Sequence, residues 1–143
     1  MTLEGKQILL VDRPAEVDAT AAILRQLGVR VSVAADATGA LALARREEFD
    51  MAMIGIGVGA GGEALERLSE GGRVPSILML ASPAEARRAI QALSRGASDY
   101  LLKPLQPGEV VRVERLLRWQ EQDVRTKHLQ HEVGRRYLNS RTW

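Results

Sequence analysis

The sequence predicts an α/β domain: five strands in a parallel sheet, with helices packed on both faces. Two observations carry this. Short apolar runs recur five times along 143 residues, and stretches with helical spacing separate them. Glycine, proline and capping residues also stand at the junctions where such elements should start and stop.

Ile8-Leu9-Leu10-Val11 is a continuous apolar run, as expected for a strand buried on both faces. Pro14 suits the first turn of a helix carrying Val17, Ala21, Leu24 and Leu27, and Gly28 suits its end. The valine-rich segment 29–35 reads as a second strand, and Asp36 can cap a helix running to about Glu48. Met51-Ala52-Met53-Ile54 is the third strand. A glycine-rich loop, Gly55 to Gly62, leads to a short helix with Ala64, Leu65 and Leu68. Ser76-Ile77-Leu78-Met79-Leu80 is the fourth strand. Ser82-Pro83-Ala84-Glu85 has the pattern of a capping box and opens a helix to about Arg95, which stops at Gly96. Tyr100-Leu101-Leu102 is the fifth strand, and a long helical pattern begins near Glu109. In such a sheet, sites form at the carboxyl ends of the strands.

Composition narrows the function classes. The chain has no cysteine, which excludes disulfides and thiolate metal sites and fits a reducing, cytoplasmic setting. No apolar run approaches the ~20 residues of a membrane-spanning helix, so no membrane role is expected. The net charge is +2; from residue 109 onward eight Lys/Arg face five Asp/Glu. That imbalance is too small to argue for nucleic acid. No catalytic pattern appears: there is no cysteine nucleophile, nucleophile elbow or spaced acid pair.

Two segments resemble the response-regulator receiver (CheY-like) family. They are Ile8-Leu9-Leu10-Val11-Asp12, and Gly96-Ala97-Ser98-Asp99-Tyr100-Leu101-Leu102-Lys103-Pro104. The resemblance spans about residues 6–119 and implies a doubly wound, flavodoxin/CheY-like sheet in the order 2-1-3-4-5. It also implies a pocket in which an aspartate ending the third strand accepts phosphate. An acidic pair after the first strand would hold magnesium, and a Ser/Thr after the fourth and a lysine after the fifth would contact the phosphoryl group. The acceptor position falls on Gly55, the second acidic position on Arg13, and the Ser/Thr position on Ala81. Asp12, Tyr100, Lys103 and Pro104 remain.

With three groups missing from one pocket, the expectation is a pseudo-receiver without catalytic residues, metal or cofactor. It would act in a two-component phosphorelay by protein–protein contact, independently of phosphorylation. The Lys103 ammonium, the Arg13 guanidinium or both should bond Asp12, and Arg13 could fill the emptied metal site. The interaction face implied by the resemblance includes Tyr100 on the fifth strand and an apolar stripe of Val110, Val113 and Leu117, with a homodimer as the expected assembly.

Two alternatives stand beside this reading. One is a relocated acceptor, for which Asp50 is the nearest residue, although it should lie at the far end of the sheet as a solvated residue. The other is a nucleotide-binding loop, since Gly57-Val58-Gly59-Ala60-Gly61-Gly62 spells G-x-G-x-x-G after the third strand rather than the first. Residues 1–119 are expected to form the receiver-like domain and 120–143 a helical extension or linker. His128 and His131 read as surface residues there.

Overall fold

The computed structural model describes residues 3–59, 62–71 and 74–121. The strands are β1 (Gln7–Val11), β2 (Arg30–Ala34), β3 (Met51–Gly55), β4 (Ile77–Ala81) and β5 (Asp99–Leu102). The helices are α1 (Pro14–Gln26), α2 (Ala37–Arg46), α3 (Glu63–Gly71) and α4 (Ala86–Ala92), with α5 over 107–121. All neighbouring strands pair in parallel, in the order β2-β1-β3-β4-β5. The continuous apolar runs are the interior strands: every residue of β3 and β4 is buried. The edge strands β2 and β5 are only partly covered.

Alternation along the interior strands builds two cores. Leu9, Val11, Ala52, Ile54, Ile77 and Met79 face α2, α3 and α4. Ile8, Leu10, Met51, Met53, Leu78 and Leu80 face α1 and α5. Local signals act where they were read. Asp36 accepts the Gly39 N–H at 2.8 Å and caps α2. Gly28 ends α1 at φ +85°, where an added Cβ would also meet the Glu4 side chain at 2.9 Å. The fourth helix is less regular than its periodicity suggests. It begins as a 3-10 turn, Pro83–Glu85, and ends as another, Leu93–Arg95.

Two expectations need correction. Val113 and Leu117 are each 1% exposed and belong to the core beneath α5, with Val110 packed against it. The apolar stripe of α5 therefore faces its own sheet and offers little to a partner. The domain body also continues past Trp119. The Ser76 hydroxyl donates to Gln120 Oε1 at 2.7 Å, and Gln120 Nε2 donates to the Asp50 carbonyl at 2.8 Å. Lys6 pairs with Glu121. The extension expected beyond this point, with His128 and His131, lies outside the described residues.

This clasp joins the last turn of α5 to the amino-terminal edge of the sheet, and Ser76 is buried. Gln120→Ala should cost about 1–3 kcal/mol, because it leaves a buried hydroxyl and a carbonyl without their partner. Urea unfolding of the variant checks this; an unchanged midpoint would mean that water replaces the side chain at no cost.

Candidate functional site

The carboxyl ends of β1, β3, β4 and β5 bring Asp12, Gly55, Ala81 and Lys103 to one edge of the sheet. Asp12 is 1% exposed. Its Oδ2 accepts from Lys103 Nζ at 3.0 Å, and its Oδ1 accepts from the Arg13 backbone N–H at 2.8 Å. The carboxylate lies directly over Gly55: a Cβ built there would sit 2.1 Å from Asp12 Oδ1 and 2.5 Å from its Cγ. The room in which a side chain at position 55 would begin is therefore taken by the carboxylate of position 12.

Lys103 also reaches Glu16 Oε1 at 3.0 Å, and the Arg13 guanidinium holds Glu16 Oε2 at 2.6–2.7 Å. Lys103 thus does bond Asp12, whereas the Arg13 side chain turns to Glu16, one helical turn away. It packs over Gly57, where a Cβ would come within 3.1 Å of its Cζ. Glu16 was not singled out in the sequence. Its only signal was its position three residues after Arg13 on α1, the spacing of an ion pair on one helix face. Burial works against the charged form of Lys103, but the bonds to Asp12 and Glu16 outweigh it and raise its pKa above the ordinary 10.5. The Lys103 hydrogen bond lowers the pKa of Glu16 below 4.5, with Arg13 assisting. Glu16 ionisation therefore stabilises the fold above that pH and ceases to do so in acid.

Ala81 is buried and brings no polar side chain, and Pro104 follows Lys103 through a cis peptide bond. Ser82 donates its N–H and its hydroxyl to Glu85 Oε1 at 3.0 and 3.1 Å, so it serves the start of the fourth helix. The Tyr100 ring packs against the core on the α4 side. The Arg112 guanidinium lies 5.9 Å from its centre and pairs with Asp99 at 2.7 Å. Asp50 stands at the opposite end of β3 and is half-buried rather than solvated, its Oδ2 accepting the Gln7 N–H at 2.8 Å. The glycine loop falls partly outside the described residues.

The magnesium implied by the receiver resemblance does not fit these residues. Magnesium requires free oxygen ligands in near-octahedral geometry. Both oxygens of Asp12 and both of Glu16 are already bonded to Lys103 or Arg13. Among the described residues no group of three or more His, Cys, Asp or Glu is placed to hold a metal.

Comparison with known proteins accounts for this geometry. Residues 8–114 match the model of the response regulator receiver domain. The chain belongs to that family. Receivers are signalling modules of two-component response regulators. This one is 36% identical over 122 residues to the transcriptional activator protein PfeR of Pseudomonas aeruginosa, covering 82% of the chain and 40% of that protein. It is 33% identical over 118 residues to the regulatory protein VanRc of Enterococcus gallinarum, covering 80% and 51%. The chain thus spans about half or less of the length of these relatives. A CheY-like receiver domain protein from Methanospirillum hungatei has the same architecture, with a TM-score of 0.69 and 31% identity over 82% of this chain and 98% of that one. Among the described residues no helix is long and apolar enough to cross a membrane.

Lys103 is the only side chain bonded to the buried Asp12 carboxylate. Removing one partner of a buried ion pair typically costs about 3–5 kcal/mol. Lys103→Ala should lose about that much, and Asp12→Asn in the same chain should recover a large part of it. Chemical denaturation of the three proteins decides; a loss below about 1 kcal/mol for Lys103→Ala would show that the pair contributes little.

Proposed function

We propose that this receiver signals by protein–protein contact within a two-component phosphorelay, independently of phosphorylation, as a pseudo-receiver with no catalytic activity and no cofactor. The observation that carries the proposal is the 2.1 Å between the Cβ position of Gly55 and Asp12 Oδ1. An acceptor carboxylate and the Asp12 carboxylate compete for one space. Phosphoryl transfer to a carboxylate needs a nucleophile and a divalent cation to neutralise charge. Here position 55 has no nucleophile, and Lys103 and Arg13 already neutralise the acids.

The pocket residues Asp12, Arg13, Gly55, Ala81, Lys103 and Pro104 then act as a fixed plug that holds the receiver in one state. With Ala81 too small to take the Ser/Thr part, the Tyr100 ring keeps its place against the α4 side of the core. We place the end of the receiver body after Glu121, because Gln120 and Glu121 contact the sheet edge; residues 122–143 form the extension. A relocated acceptor is less well supported, since Asp50 is at the wrong end of β3 and serves a backbone N–H.

Acetyl phosphate, and separately beryllofluoride, each with millimolar magnesium, should leave the intact mass and the amide resonances of Asp12, Gly55 and Lys103 unchanged. Addition of one phosphoryl group, or saturable shifts at all three residues, would overturn the proposal.

A further inference from the structure

Helices α4 and α5 lie on opposite faces of the sheet, and the edge strand β5 runs between them. The end face they form exposes apolar side chains that the core does not use. Ile90 is 52% exposed and Leu93 38%, beside the half-buried Tyr100. Trp119 is 63% exposed and follows Arg112 and Arg115 at positions seven and four residues on, on the same face of α5.

The charge around these residues has one sign. Residues 86–95 carry Arg87, Arg88 and Arg95 and no acid. Arg87 precedes Ile90 by three residues and stands beside it. Arg87 and Arg115 are exposed and make no ion pair among the described residues. The one acid on the edge strand, Asp99, is already held by Arg112.

We propose that this end face docks an acidic amphipathic helix of a partner protein. The inference rests on the reading above that the receiver acts by phosphorylation-independent contact, and it names the partner's chemistry. A second copy of the chain fits poorly, because a twofold contact sets the same patch against itself and would oppose α4 arginines without acids. A partner strand added to β5 fits poorly too. Asp99 Oδ1 accepts the Tyr100 N–H at 2.8 Å, and Arg112 crosses the edge to Asp99. A helix with an apolar stripe for Ile90, Leu93 and Tyr100, flanked by carboxylates for Arg87 and Arg115, satisfies both requirements.

The probes are two synthetic helical peptides with the same leucine stripe, one flanked by glutamates and one by lysines. They are titrated into the full chain while amide shifts are followed. The glutamate peptide should give saturable shifts confined to Ile90, Leu93, Tyr100, Arg112 and their neighbours. The lysine peptide should bind about tenfold or more weakly. Arg87→Glu with Arg115→Glu should reverse that preference without altering the fold. Equal binding of both peptides, no binding, or dimerisation that shifts the same amides would overturn the proposal. Repeating the titration with beryllofluoride and magnesium separates the two ideas. A changed affinity would refute phosphorylation independence and leave the docking face intact, whereas loss of binding in every condition would refute the face alone.

Discussion

The carboxylate of Asp12 sits in the space above Gly55, pinned from one side by Lys103 and from the other by the Arg13 backbone N–H. Much of the site follows from that placement. A carboxylate exposed to only 1% requires a cation, and Lys103 at the end of β5 supplies it. Lys103 is shared with Glu16, and Glu16 draws the Arg13 guanidinium away from Asp12. Two acids and two cations close on themselves, and the site is neutral without an external ion.

That closure separates the fold from the chemistry usually performed on it. The parallel sheet still delivers four strand ends to one edge, as its topology demands. What arrives there is a glycine, an alanine and an internal ion pair. The relation to other receivers is therefore strong in the backbone and weak in the reacting groups. The free surface of the molecule lies at its end, where arginines surround exposed apolar side chains.

The sheet was legible in the sequence because β1, β3 and β4 are buried on both faces and so read as unbroken apolar runs. The register of Gly55, Ala81 and Arg13 against their strands was legible for the same reason. Other features depend on tertiary proximity that spacing does not report. Glu16 enters the site only because Lys103, 87 residues later, folds onto α1. The direction of the Arg13 side chain was open until Glu16 offered the nearer partner. Periodicity found the apolar stripe of α5 but not the surface it covers. Val113 and Leu117 serve the domain's own core, and the end of that helix is fixed by a glutamine reaching Ser76 and Asp50, which no motif announces.

The competition between positions 12 and 55 is measurable as a coupling energy. In a double-mutant cycle of Gly55→Ala and Asp12→Ala, followed by denaturant unfolding, Gly55→Ala alone should destabilise by about 1–3 kcal/mol, because the added methyl group must displace a pinned carboxylate. In the Asp12→Ala background the same substitution should cost almost nothing, giving a coupling of about 1–3 kcal/mol. Equal costs in the two backgrounds would contradict the account, since the Asp12 carboxylate would then not occupy the acceptor's place.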